Sequence, residues 1–263
     1  MNHHAPSLEP VASEAWHYIR PALIEHLWHW WGTDALFHAE ILRSDQTVCP
    51  STLRRIASAY GVSRGLLQGK EAEAAELLDE RLPDWPSGLT ERADFVQQVA
   101  IEAEQRGLTK GKLLSAFSKI VWFARPSGWT MYDSFARRGL NSKRRYQEFD
   151  EYQSYYLRLS DRGFDEAMET GRSVIEASEI NYLWPERILD KYLMLVGHSA
   201  QENLTVVNTS SHNAILRLWD DFFGPEVRRN IDQISIDLAT NLCDEPIFQA
   251  HTLQPIQHPK PPS

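Results

Sequence analysis

Residues 106–140 read RGLTKGKLLSAFSKIVWFARPSGWTMYDSFARRGL, and the punctuation of this stretch decides the fold. Helical spacing runs up to Arg106. Gly107-Leu108-Thr109-Lys110-Gly111 then predicts a tight hairpin, because glycine tolerates backbone conformations that other residues resist. A new helix follows on Leu113, Phe117, Ile120 and Val121. Pro126 and Gly128 break it, and a short connection carries Trp129 and Met131. Asp133 opens the next helix, where a short acceptor side chain satisfies amides that have no partner in the first turn. The order is helix, glycine hairpin, helix, short loop, aspartate at a helix start.

Outward from this segment the same periodicity continues. Trp16, Ile19, Leu23, Leu27, Trp30 and Trp31 place a helix over 13–31, with Gly32 as its stop. Further helices are expected over 35–42, 50–60 (Ser51 or Thr52 as cap, Gly61 as end), 71–82, 91–106 and 113–123. Others follow over 146–159, 164–178, 185–196, 210–222 and 226–243. Phe222-Phe223-Gly224-Pro225 separates the last two. Strand signals are confined to Leu204-Thr205-Val206-Val207, too little for a sheet. The expected class is therefore all-α, one helical domain over 1–249 or two helical lobes. A proline-rich tail, AHTLQPIQHPKPPS, disordered or extended, is expected over 250–263.

Composition narrows the function classes. No apolar run is long enough for a bilayer-spanning helix. MNHHAPSLEPVASEAW has no basic region followed by an apolar one, as a secretory leader would. Cys49 and Cys243 are too few and too far apart for a disulfide framework or zinc site. A cytoplasmic setting is expected. The net charge of −9 argues against a nucleic-acid partner until its distribution is read. Residues 105–145 hold ten cations (Arg106, Lys110, Lys112, Lys119, Arg125, Arg137, Arg138, Lys143, Arg144 and Arg145) against Asp133 alone, a net +9. The remaining 17 cations and 35 carboxylates leave −18 elsewhere. Global charge bears on solubility, and a local excess bears on partners, although charge runs are often merely solvated faces.

Two other motifs invite readings that do not survive inspection. STLRRIASAYGVSRGL (51–66) resembles the first half of a helix-turn-helix, with Ile56, Ala57, Gly61 and Val62 at the turn. The recognition helix would be only 63–68 and would contain Gly65, so a plain helical corner fits better. His26 and His29 lie one turn apart beside Glu25, but no H-E-x-x-H pattern or third ligand accompanies them, and no metal site is expected. Walker A, G-x-G-x-x-G and G-x-S-x-G motifs are missing.

The order described for 106–140 resembles the helix-hairpin-helix DNA glycosylases with the 8-oxoguanine DNA glycosylase-like fold. The pattern S-x-x-S-K-x-x-W-F-x-x-P-x-x-W-T-x-x-D, from Ser115 to Asp133, is similar to bacterial proteins of that fold, some of them encoded with antiphage defence systems. The resemblance covers about a third of the chain. It implies a hairpin that binds phosphates through its amides, a lysine that attacks C1′ of the damaged nucleotide in lyase members, and an aspartate that assists. Asp133 matches the aspartate. Lys112, 21 residues before it, and Lys119, 14 before it, both match the lysine. The family's L-P-G-V-G hairpin is Gly-Leu-Thr-Lys-Gly here, which weakens the match at the hairpin itself.

On that resemblance, Trp122, Trp129, Tyr132 and Phe135 supply faces for an extruded base. Lys110, Gly111, Arg137, Arg138, Lys143, Arg144 and Arg145 hold the DNA backbone. No cofactor is implied. The expected partner is DNA carrying a modified base, with a defence-system protein as a further one. The competing expectation is a non-catalytic helical module that binds nucleic acid or a protein partner, and a third is a basic patch that docks an acidic protein. An Asp133 sealed into its cap, with no pocket against Trp122 and Trp129, would favour the non-catalytic module.

Overall fold

The computed structural model describes residues 16–140, 148–178, 180, 182–202 and 224–252. The chain is mostly helical, and among the described residues no strand forms. In order, the helices are α1 (Trp16–His29), α2 (Ala35–Arg43), α3 (Pro50–Ala59), α4 (Glu71–Arg81), α5 (Leu89–Gln105), α6 (Leu114–Ala124) and α7 (Ser134–Gly139). α8 (Glu148–Asp161), α9 (Phe164–Ala177), α10 (Pro185–Glu202) and α11 (Pro225–Leu242) follow, and a 3-10 turn covers Pro246–Thr252. Expected elements over 204–207 and 210–222, and the tail beyond 252, lie outside the described residues. The turn reaches Thr252, so the first residues assigned to a disordered or extended tail are helical instead.

Most helices stand where their periodicity places them, but their ends are set by local chemistry. α3 begins at Pro50, whose missing N–H costs nothing in a first turn. Thr52 is not the cap: it is buried inside the helix, and its hydroxyl donates to Glu40 Oε2 at 2.8 Å. Gly61, at φ +65°, closes α3 as expected, with the Val62 amide donating back to the Ala57 carbonyl. The supposed recognition helix beyond it is a three-residue 3-10 turn, Ser63–Gly65, so 51–66 is a helical corner.

Gly32 does not stop the first helix. A π-helical turn, Trp30–Asp34, carries the backbone straight from α1 into α2. The turn rotates Asp34 into the interior, where it is fully buried and accepts a 2.8 Å hydrogen bond from the Tyr60 hydroxyl. Propensity read Gly32 as a break, but tertiary bonding of Asp34 outweighs the roughly 1 kcal/mol cost of a helical glycine.

One hydrophobic core runs from Ile19 in α1 to Phe248 in the last turn. At its centre lies α10, packed against α7, α1, α9 and that terminal turn. Its first turns carry Glu186, Arg187, Asp190 and Lys191, each 3% exposed or less. Buried charges of this kind are tolerated only when paired. Arg187 bonds Asp190 and the Tyr60 hydroxyl and lies 3.7 Å from Asp34. Lys191 meets Glu25 at 2.8 Å, and Glu186 takes Arg172 at 2.9 Å and the Gly128 amide at 2.7 Å.

Candidate active site

α6 presents Ser115, Ser118 and Lys119 on one face, since residues three and four apart line up along a helix. Beside that face runs the connection 130–133, whose backbone has no ladder to join and is satisfied by side chains instead. The Tyr132 amide donates to Ser118 Oγ at 3.1 Å, and its carbonyl accepts from Lys119 Nζ at 3.0 Å and Ser115 Oγ at 3.3 Å. Two residues back, the Thr130 carbonyl accepts from the Tyr156 hydroxyl at 2.8 Å. The S-x-x-S-K spacing thus clasps an extended segment and delivers Asp133 to a fixed place.

Asp133 does two things at once. Its Oδ1 accepts from the Phe135 amide at 2.8 Å and caps α7, while Oδ2 lies 3.5 Å from Lys119 Nζ. The Lys119 ammonium has a third acceptor in Ser115 Oγ at 2.7 Å. The lysine side chain is 6% exposed and the aspartate 23%, so the lysine is buried and the aspartate reaches the surface in part. Burial pushes Lys119 below the ordinary lysine range, against the pull of Asp133 and Asp190. A lysine so placed is closer to its neutral, nucleophilic form than a surface lysine. Of the two candidate lysines, Lys119 is buried against Asp133, and Lys112 is exposed.

The aromatic residues divide. Trp122 and Trp129 are wholly buried and belong to the core, contrary to the expected base-binding role. Phe123, Trp184 and the Arg187 guanidinium surround Trp122, whereas Trp85 and Tyr156 flank Trp129. Their regular spacing in sequence could not distinguish a core pair from a pocket pair. Tyr132 is 7% exposed, edge-on to Tyr152 and Tyr155. Phe135 alone of the four is half-buried. It stacks on His198 of α10 with ring centres 3.6 Å apart, and the Arg138 guanidinium stands 4.4 Å from its ring centre. Nothing in the sequence linked His198 to this site, because its partner lies on another helix.

The expected phosphate contacts divide too. Lys110 is exposed, and Arg138 is half-buried over Phe135. Arg137 is not a surface cation: it is 8% exposed and paired with Glu151 at 2.9 Å. Arg106 is engaged by Glu80 and Glu102, and Arg125 by Gln46. The +9 excess is therefore larger in sequence than at the surface. Lys143, Arg144 and Arg145 lie outside the described residues. At the hairpin, Gly107 takes φ +67°, but the Leu108 amide donates to the Ala103 carbonyl and the Lys110 amide to Gly65. Those two amides are committed within the fold and are not offered to phosphate.

Around the histidine pair, His26 is fully buried and accepts from the Trp184 amide at 3.2 Å, and His29 Nε2 is 3.8 Å from Glu25. Among the described residues, no group of three or more His, Cys, Asp or Glu side chains is arranged to hold a metal ion. No helix among them is long and apolar enough to cross a membrane. No protein-family model, curated protein or solved structure matches the chain.

Proposed function

We propose that the chain is a DNA glycosylase with lyase capability, in which Lys119 is the nucleophile and Asp133 its proton acceptor. The observation that carries this reading is the 3.5 Å approach of a buried lysine to a half-exposed helix-start aspartate. The two come in the order that the resemblance to helix-hairpin-helix glycosylases requires. In this reading neutral Nζ forms a bond to C1′ as the C1′–N bond to the base breaks. The bonding pair leaves with the base, which takes a proton from water. The nitrogen gives one proton to Asp133, which returns it to the ring oxygen as the sugar opens to an iminium.

Borohydride reduces such an iminium to a stable amine and traps the protein on labelled DNA. A panel of duplexes and single strands with oxidised, alkylated and deazaguanine bases tests the reading. The expected result is an adduct with one of them that disappears in Lys119→Gln and persists in Lys112→Gln. Adduct loss only in Lys112→Gln would move the nucleophile to the hairpin. Base release without any adduct would reduce the activity to hydrolysis.

A second reading, a non-catalytic helical module that binds nucleic acid or protein, is favoured by the burial of Trp122 and Trp129. It is also favoured by the three acceptors that already hold the Lys119 ammonium. Binding of DNA with neither base release nor an adduct across the panel would establish it. In either reading, an association with a defence system is tested by co-purification with products of neighbouring genes.

A further inference from the structure

A charged Lys119 Nζ has three hydrogens and three acceptors around it, and the acceptors differ in kind. Ser115 Oγ stands at 2.7 Å, the Tyr132 carbonyl at 3.0 Å and Asp133 Oδ2 at 3.5 Å. The two short contacts are to neutral oxygens, and the long one is to the only carboxylate of the three. Ser115 and Tyr132 are also tied to each other. An ammonium can only donate, so the Ser115 hydroxyl accepts from it and gives its own hydrogen to the Tyr132 carbonyl at 3.3 Å. Oγ is thereby left with lone pairs alone to face Nζ. The frame is closed by Ser118, whose Oγ accepts from the Tyr132 amide and donates to the Ser115 carbonyl, both at 3.1 Å.

A neutral Nζ keeps two hydrogens and one lone pair. The two short acceptors take the hydrogens, and the lone pair is left toward Asp133. That is the open side, since the aspartate side chain is 23% exposed and the lysine 6%. We propose that Ser115 is a positioning residue: its hydroxyl, oriented by the Tyr132 carbonyl, fixes the rotation of Nζ so that the neutral amine presents its lone pair beside Asp133 to an electrophilic carbon. The four-residue spacing of Ser115 and Lys119 along α6 brings the two side chains together. The inference rests on the lysine-nucleophile half of the proposed function and not on the identity of the substrate.

The hydroxyl also bears on the charge of the lysine, with a sign that separates positioning from mere support. The charged groups that face Nζ are Asp133 from the connection, and Asp190 and Arg187 from α10. Tyr155 of α8 feels both carboxylates, and burial keeps its phenol neutral. Ser115 adds an acceptor that favours the ammonium, so its loss moves Lys119 further below the ordinary lysine range. A site that was only loosened would admit water and move the lysine up instead.

Labelling of the full chain with propionaldehyde and cyanoborohydride over a pH series, read by peptide mass mapping, tests the role. Nζ adds to the carbonyl carbon, water leaves, and the iminium takes hydride from cyanoborohydride, so no damaged base is needed. Lys112, exposed, is the internal reference. In the parent chain Lys119 is expected to react at lower pH than Lys112. In Ser115→Ala the plateau rate at Lys119 should fall on the order of tenfold to 100-fold, and the midpoint should move to lower pH. Ser115→Thr keeps the hydroxyl and should restore both. An unchanged plateau in Ser115→Ala, or a midpoint that rises toward that of Lys112, would overturn the positioning role. So would a parent Lys119 that reacts no faster than Lys112 at any pH. Borohydride trapping on DNA is run beside it: aldehyde labelling as described with no DNA adduct would remove the lyase reading and leave the role of Ser115 standing.

Discussion

Gly197 of α10 lies against the Phe135 carbonyl of α7 so closely that a Cβ there would stand 2.9 Å from the carbonyl carbon and overlap its oxygen. Gly139, at the other end of α7, is pressed in the same way against the Leu193 backbone of α10. A six-residue helix has little stability of its own. α7 is held by this contact, and with it the aspartate that caps it.

Gly197→Ala is therefore expected to act at a distance. Overpacking at a backbone contact costs about 1–3 kcal/mol. The helix can relieve it only by moving, which carries Asp133 away from Lys119. Urea denaturation should show the lost stability, and borohydride trapping should fall by more than the folded fraction does. Trapping that tracks the folded fraction would mean that α7 stays in place.

Asp133→Asn and Asp133→Ala separate the cap from the charge. Asn caps as well as Asp, whereas Ala costs about 1 kcal/mol. Thermal melts should therefore rank Asn above Ala. Base release should be lost in both, because neither can accept the Lys119 proton. Removing the charge also lets burial lower the Lys119 pKa further, which lysine-detected NMR titration would read. Activity retained in Asn but not in Ala would make Asp133 a cap alone.

Arg187→Met leaves Asp34 and Asp190 together in the core without their shared cation. Breaking a buried ionic cluster from one side costs about 3–5 kcal/mol. Burial already pushes the Asp190 carboxyl up against the opposing pull of Arg187. Adding Asp190→Leu to Arg187→Met should recover part of the loss, as measured by the denaturation midpoint. No recovery would show that Asp34 is the costlier orphan.

His26 supplies a pH dependence. Burial holds it well below its ordinary 6.5, and Arg187, Lys191 and His29 add to the effect. The unfolded chain takes up a proton below that value and the folded chain does not, so stability is present above about pH 6.5 and is lost as pH falls. His26→Gln keeps an acceptor for the Trp184 amide but has no such titration. The melting temperature of the parent chain should drop more than that of the variant between about pH 7.5 and about pH 5. Equal drops would assign the acid sensitivity to other groups.

Periodicity made the helices legible, and the short-range signals of Gly61 and Asp133 located two ends, whereas the cap expected at Ser51 or Thr52 lies inside α3. Pairings across the chain were not legible. The helix expected over 185–196 carries Glu186, Arg187, Asp190 and Lys191 in its first turns, and all four are buried because Glu25, Asp34 and Arg172 come from other elements. The candidate site was legible in part for the same reason. Lys119 and Asp133 are 14 residues apart and joined by one loop, whereas His198 reaches Phe135 only through the packing of α10 on α7. Counting cations in a segment likewise could not see that Glu151 claims Arg137.

The π turn at Trp30–Asp34 bears on how this chain is to be aligned with any other. Each such turn holds one residue more than the α-helix around it. A relative without it would run α1 and α2 as one regular helix, with every later side chain turned by about 100°. An ungapped alignment would set Asp34 against a position on another face, and the ion pair to Arg187 would look unshared. A single-residue gap within the turn restores the match.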